Sequence, residues 1–132
     1  MILVDTSAWV EFLRGTGSPA HLRIRDELAR STPLVTTDVV VMEVLAGATG
    51  PDHLRRLRRL LTGCPLEPVR GLADFENAAA LYRSCRTQGV AIRRLTDCVI
   101  AAVAIRARTP VLHADRDFDA IARCTPLRIE PL

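Results

Sequence analysis

Short apolar runs that end on polar residues alternate with helix-forming segments along the whole chain. Met1–Val4, Pro33–Thr37 and Thr109–Ala114 have the apolar, β-branched composition of strands, and Asp5 and Asp115 directly follow the first and the last. Parallel strands need crossover connections of about a dozen residues or more, and the segments between these runs are long enough to supply helical ones. The alternation therefore predicts an α/β fold with a mainly parallel sheet.

Two further segments, Pro65–Val69 and Leu127–Glu130, are predicted to be short strands, and the prolines that bound the first suit the edge of a sheet. Together these runs predict a three-layer α/β/α sandwich around a central sheet of about five strands. The length of 132 residues is below the roughly 150 residues usual for one domain, so residues 1–132 are expected to form a single domain.

Two helices are central to this prediction. The run Val39–Val41 favours a strand, but the capping Asp38, the continuation through Leu45 and the stop at Gly47 favour a helix, which we predict. The segment TDCVIAAVAIRAR, which begins at Thr96, is apolar on most of its faces, so it is predicted to be a buried central helix.

The charge and cysteine patterns exclude several classes of function. All 18 basic residues are arginine and the formal net charge is +3, so no mechanism that needs a lysine is available and a polyanionic partner is favoured. The four cysteines form no CxxC pair, which argues against a zinc or redox site and for buried thiols. No apolar run approaches the roughly 18 residues of a membrane span, and no basic stretch precedes the N-terminal apolar residues, so a cytoplasmic protein is expected.

Four acidic residues stand out, and three of them, Asp5, Asp97 and Asp115, are predicted to lie on the same rim of the sheet. Asp5 and Asp115 end strands, Asp97 begins the apolar helix, and Glu43 lies in the helix after the second strand. Open α/β sheets bind ligands beyond the carboxyl ends of their strands. Carboxylates gathered there repel one another unless a cation neutralises them, and oxygen ligands without histidine or cysteine select Mg²⁺ or Mn²⁺.

Each acid also has a purely structural interpretation. Asp5 and Asp97 are plausible helix caps, because a carboxylate there accepts unpaired amide hydrogens. Glu43, among apolar neighbours, could instead form a buried pair with an arginine. The acids of ADRDFD, which are Asp115, Asp117 and Asp119, could belong to a solvated turn.

Four short motifs in order give the chain a resemblance to a known family. They are LVDTS at the N-terminus, the helix with Glu43, LTDCVIAAVA around Asp97 and HADRDF at Asp115. Over its whole length the chain resembles PIN-domain ribonucleases, especially the small VapC toxins of bacterial toxin–antitoxin pairs. The resemblance implies a metal site formed by Asp5, Glu43, Asp97 and Asp115, with Asp117 as an additional acid and a supporting hydroxyl from Thr6 or Ser7.

This resemblance also implies an activity and its partners. The expected activity is a Mg²⁺- or Mn²⁺-dependent endoribonuclease that uses water as its nucleophile and leaves 5′-phosphate and 3′-hydroxyl ends. Arginines close to the predicted site are candidates for gripping RNA phosphate, with a solvated surface as the alternative: Arg93, Arg94 and Arg116.

The expected protein partners are a second copy of the chain and a cognate antitoxin of the VapB type. In the family, the C-terminal segment of the antitoxin lies in an apolar groove near the first helices and brings a basic side chain toward the acids. Trp9, Phe12 and Leu13 are candidates for this groove, with ordinary core positions as the alternative.

Three rival functions remain to be weighed. A receiver domain needs a lysine after a late strand, which is absent, and a haloacid-dehalogenase phosphatase needs DxD after its first strand, whereas DRD begins only at Asp115. A non-catalytic PIN-like scaffold that binds RNA or protein remains open, although every expected acid is present.

Overall fold

The computed structural model describes residues 1–132 as an α/β fold with three parallel strands and seven helices. The strands are β1 (Ile2–Val4), β2 (Leu34–Val35) and β3 (Val111–Leu112), in the order β2-β1-β3. The helices are α1 (Thr6–Arg14), α2 (Pro19–Ala29), α3 (Asp38–Ala46), α4 (Pro51–Thr62), α5 (Gly71–Thr87), α6 (Leu95–Arg106) and α7 (Arg116–Cys124).

The expectation of about five strands is wrong, because the two additional segments make only isolated contacts with the sheet. Leu66 forms a single parallel bridge with Thr36, and Ile129 forms one with Val111. Proline cannot donate to a β-ladder, and prolines lie at 65, 68, 126 and 131. The Glu67 amide still donates to the Thr36 carbonyl, but after Pro68 carboxylates accept the amides, since Val69 N donates to Asp38 and Arg70 N to Asp74.

The two helices that the sequence singled out are both present. α3 begins at Asp38, but Thr37 is its N-cap residue and the Asp38 carboxylate accepts the Val69 amide instead of capping the helix. α6 is the central helix, since residues Asp97–Ala104 are all buried. No helix combines the length and the apolar character that a membrane crossing requires.

The strand order brings the carboxyl ends of β1 and β3 together. The chain leaves β1 toward β2 at one edge of the sheet and returns to β3 on the other side of β1. Right-handed crossovers in opposite directions place their helices on opposite faces, and a cleft opens where the direction reverses. Asp5 follows β1 and Asp115 closely follows β3, so both lie at this position.

Candidate metal centre

A cleft of about 290 Å³ opens beyond the ends of β1 and β3, and it collects the four acids that the sequence predicted. Asp117 is not part of its lining, but one carboxylate oxygen of this residue lies within 4.8 Å of oxygens from Asp97 and Asp115. The residues that line the cleft are Asp5, Thr6, Ser7, Val10, Glu11, Glu43, Arg94, Asp97, Ala114 and Asp115.

Asp5 is both a helix cap and a wall of the cleft. Its Oδ2 accepts hydrogen bonds from the backbone N–H of Ser7 at 2.9 Å and from Ser7 Oγ at 2.5 Å. Ser7 Oγ in turn accepts the backbone N–H of Ala114 at 2.9 Å. One serine hydroxyl thereby connects the segment after β1 to the segment after β3, which carries Asp115.

Glu43 is half-buried and hydrogen-bonded to a hydroxyl rather than paired with an arginine. Thr6 Oγ1 donates to Glu43 Oε1 at 2.9 Å, which joins the first turn of α1 to the middle of α3. Burial raises the pKa of Glu43, against the lowering effect of the Thr6 hydrogen bond. The resemblance implied a supporting hydroxyl from either Thr6 or Ser7. In the structure both hydroxyls donate to an acid of the cleft, Thr6 to Glu43 and Ser7 to Asp5.

Asp97 is the most poorly compensated acid in the molecule. It lies in the first turn of α6, yet that helix has no side-chain cap, and Asp97 Oδ2 is buried without a hydrogen-bond partner. Burial, followed by the nearby charges of Asp5 and Asp115, raises the pKa of Asp97 to about 7. Burial likewise raises the pKa of Asp5. Buried polar groups normally have partners, and this orphaned oxygen belongs to one of three acids whose oxygens are close enough together to hold a metal ion.

The N-terminus of α7 contributes two more carboxylates, one from its N-cap residue and one from its first turn. Asp115 is the N-cap of α7 and its Oδ1 accepts the backbone N–H of Asp117 at 3.0 Å. Asp117 is only 5% exposed, so the solvated-turn interpretation is wrong for it, whereas Asp119 is exposed. The donors assembled at Asp97, Asp115 and Asp117 are all carboxylate oxygens, which fits Mg²⁺ or Mn²⁺ rather than zinc.

The three arginines predicted to grip RNA differ in position. Arg93 forms a two-armed ion pair, with Nε 3.0 Å from Asp117 Oδ2 and a terminal nitrogen 2.8 Å from Asp115 Oδ1. Arg94 lines the cleft and lies 3.7 Å from Asp115 Oδ2. Arg116, at the start of α7, is exposed and makes no ion pair.

The aromatic candidates for an antitoxin groove belong mainly to the interior. Trp9 is completely buried in the core, and Phe12 packs edge-on against Trp9 and His21. Leu13 lies at the surface, where it lines a second cavity of about 210 Å³ together with Val10, Arg14, Glu43, Val44, Gly47, His53 and Leu57.

Glu11 is a cleft residue that the sequence interpretation missed. It lies four residues after Ser7 on α1, and residues four apart share one face of a helix. That spacing was the available signal, because it places Glu11 on the same side as the hydroxyl that supports Asp5.

Comparison with known proteins identifies the family. The profile of the PIN domain family matches residues 2–123. Ribonuclease VapC11 of Mycobacterium tuberculosis (strain ATCC 25618 / H37Rv) is 43% identical over 129 residues, covering 97% of this chain and 96% of that protein. A VapC ribonuclease of Mycobacterium bovis is equally similar, with 43% identity and the same coverage.

Solved structures share the fold over nearly the whole chain. VapBC-1 from nontypeable Haemophilus influenzae has a TM-score of 0.76 at 17% identity, covering 98% of this chain and 97% of that chain. VapC20 of Mycobacterium tuberculosis, described as a sarcin-ricin loop cleaving toxin, has a TM-score of 0.70 at 24% identity, covering 97% and 99%. With its matching profile and its close mycobacterial relatives, the chain belongs to the PIN-domain family and, within it, to the VapC ribonucleases.

Proposed function

We propose that this protein is a Mg²⁺- or Mn²⁺-dependent endoribonuclease that acts as the toxin of a toxin–antitoxin pair. The observation that carries the proposal is the orphaned Asp97 Oδ2, buried among carboxylates in a cleft at the ends of β1 and β3. RNA as the substrate is supported by the name of the related ribonuclease VapC11 and by the description of VapC20 as a sarcin-ricin loop cleaving toxin.

The proposed mechanism assigns separate tasks to the acids and to the hydroxyls. Asp5, Asp97 and Asp115 would hold the cation, with Asp117 as a further ligand. A divalent cation bound there would lower the pKa of a coordinated water and stabilise charge on the reacting phosphate. Thr6 holds Glu43 Oε1, which leaves Oε2 free to bind the cation or to accept a proton from the attacking water.

Cleavage of RNA by antitoxin-free protein tests the proposal. We expect cutting with Mg²⁺ or Mn²⁺, no cutting with EDTA, and none with Asp5→Asn. Asp26→Asn is a matched control, since Asp26 lies on α2 and pairs only with Arg25. Intact RNA in the presence of folded, metal-bound protein would favour the non-catalytic scaffold instead. Cutting that persists with both EDTA and Asp5→Asn would come from a contaminant and would contradict the proposal.

We propose that Arg93 releases Asp115 and Asp117 when a cation binds to them and contacts an RNA phosphate instead. The Arg93 guanidinium pairs with Asp115 and Asp117, the same carboxylates that a cation would use. Arg93→Gln is therefore expected to tighten Mn²⁺ binding by about threefold to tenfold, because a competing positive charge is lost. It is also expected to raise the KM for RNA about tenfold through the loss of a phosphate contact.

Calorimetric titration with Mn²⁺ and cleavage kinetics measure these two effects separately. Arg123→Gln is the matched control, since Arg123 is exposed on α7 and makes no ion pair. Weaker Mn²⁺ binding by Arg93→Gln would contradict the exchange and would mean that Arg93 orients the carboxylates.

The second cavity is the proposed binding site for the antitoxin. Its apolar lining from Val10, Leu13 and Leu57 suits a hydrophobic segment of a partner. Because it shares Val10 and Glu43 with the acidic cleft, a basic side chain of that segment would reach the carboxylates and neutralise them. Substituting Leu13 with aspartate should abolish antitoxin binding without changing cleavage.

A homodimer and a cytoplasmic location complete the proposal. Support for a second copy comes from an apolar cavity of about 550 Å³ between α3 and α4, where Met42 and Leu66 are 59% and 51% exposed. Support for the cytoplasm comes from the four cysteines, which are all free thiols. Sedimentation of the antitoxin-free protein tests the dimer.

A further inference from the structure

We propose that His113 is a positioning residue for the metal site, and that it holds the turn carrying Asp115 through one ring nitrogen while Asp119 holds the other. This inference rests on the proposed function, because the site it supports is the proposed metal centre. His113 directly follows β3 and is only 7% exposed.

Side chains rather than other backbone groups satisfy the amides of this turn. The Asp115 backbone N–H donates to His113 Nδ1 at 3.0 Å, and the Ala114 N–H donates to Ser7 Oγ. The Asp117 N–H donates to the carboxylate of Asp115 itself. The path of the backbone at Asp115 therefore depends on side-chain acceptors, and His113 is the acceptor that contacts Asp115 directly.

The contacts of the ring determine which of its nitrogens carries the proton. Nδ1 accepts a hydrogen bond, so the neutral ring carries its proton on Nε2, and this atom lies 3.1 Å from Asp119 Oδ1. The ring also packs against Phe118, with 5.4 Å between ring centroids, and Phe118 is completely buried. Asp119 and Phe118 thus hold the ring with its acceptor nitrogen directed at the Asp115 amide.

The position of the Asp115 amide affects cation binding, because any shift of this backbone also moves the Asp115 carboxylate. The oxygens of Asp97, Asp115 and Asp117 lie within 4.8 Å of one another, and a cation such as Mg²⁺ tolerates little error in ligand position. Groups that orient metal ligands typically change the metal affinity by about 10-fold to 100-fold when they are removed.

Two substitutions of His113 separate positioning from general stability. In His113→Asn the side-chain oxygen replaces Nδ1, because asparagine readily accepts the N–H two residues later. In His113→Gln the amide group of the longer side chain takes the position of Nε2. The Asp115 N–H then loses its side-chain acceptor. We expect His113→Gln to weaken Mn²⁺ binding at least about tenfold, His113→Asn to stay within about threefold of the original protein, and both to lower the unfolding midpoint in EDTA similarly.

Calorimetric Mn²⁺ titration, unfolding in EDTA and ring ¹⁵N shifts provide the readouts. His21→Gln is the matched control, since His21 Nδ1 also accepts a backbone amide, that of Gly17, outside the cleft. Equal loss of Mn²⁺ affinity in both His113 variants, unchanged affinity in His113→Gln, or ¹⁵N shifts that place the proton on Nδ1 would overturn the inference. Absence of Mn²⁺ binding by the unsubstituted protein would instead overturn the proposed metal centre, while the ¹⁵N shifts would still report on the His113 hydrogen bonds.

Discussion

Replacing Asp97 with asparagine is expected to abolish RNA cleavage and to stabilise the metal-free protein. The amide loses the negative charge that attracts a cation, and metal-ion assistance is worth several kcal/mol of transition-state stabilisation. We therefore expect the cleavage rate to fall by about a thousandfold or more. The same change removes a buried charge that has no partner at Oδ2 and that Asp5 and Asp115 repel.

The gain in stability should depend on pH in a defined direction. The pKa of Asp97 rises from 3.8 to about 7 on folding, so the folded protein binds this proton more tightly than the unfolded chain. Below pH 3.8 this group therefore does not change the free energy of unfolding. Between pH 3.8 and about 7 it lowers that free energy progressively, and above about pH 7 its destabilising effect is constant. At pH 8 Asp97→Asn should raise the free energy of unfolding by roughly 2 kcal/mol, allowing for screening by water in the open cleft.

Urea unfolding in EDTA at pH 8 and pH 4.5, beside RNA cleavage assays, measures both effects. Asp26→Asn again serves as the control, since it replaces an exposed carboxylate on α2. A stability gain without loss of cleavage would remove Asp97 from the metal centre. Lower stability of Asp97→Asn at pH 8 would contradict the electrostatic account of the cleft.

Replacing Arg106 with alanine is expected to lower the free energy of unfolding by about 3 kcal/mol or more. The guanidinium, at the end of α6, donates to both oxygens of Asp74 at 3.0 and 2.9 Å, to Glu67 at 2.7 Å and to the Pro68 carbonyl at 2.8 Å. Asp74 is only 1% exposed. Without Arg106 this carboxylate would remain buried and unneutralised, which is costly.

The pH dependence of this contribution has the opposite sign to that of Asp97. The Arg106 hydrogen bond holds the pKa of Asp74 below 3.8, so the stabilisation is present above that pH and is lost as the pH falls through the lowered pKa. Arg83→Ala is the control, since Arg83 is exposed on α5 and makes no ion pair. Urea unfolding at pH 7 compares the two variants, and equal stability would show that the network contributes nothing.

The same network explains why the sheet is smaller than its sequence predicts. Pro65–Val69 has the composition of a strand, but Asp38 and Asp74 bind the amides of Val69 and Arg70, and Arg106 binds the Pro68 carbonyl. These partners lie up to 38 residues away in the chain. No local pattern in the segment itself contains this information.

Local patterns were enough to predict the α/β class, the helices α3 and α6, and the gathering of the acids. Asp5 and Asp115 were predictable because each follows a strand, and parallel strands bring their carboxyl ends to one edge. Glu43 was predictable because a carboxylate on so apolar a helix needs a special role. Caps, helical periodicity and strand ends are properties of neighbouring residues, so the sequence carries them directly.

Only the tertiary structure decided what each of these groups contacts. Asp97 does not cap its helix, and its Oδ2 has no hydrogen-bond partner. Trp9 is buried in the core, and Arg93 forms ion pairs with two acids. His113 accepts the hydrogen bond of the Asp115 amide. Each outcome depends on the packing of residues that are distant in the chain or on the exact direction of a side chain. The sequence determined which chemical groups reach the edge of the sheet, whereas packing determined which of them found a partner and which did not, because burial and partner distance set the energy of every charge.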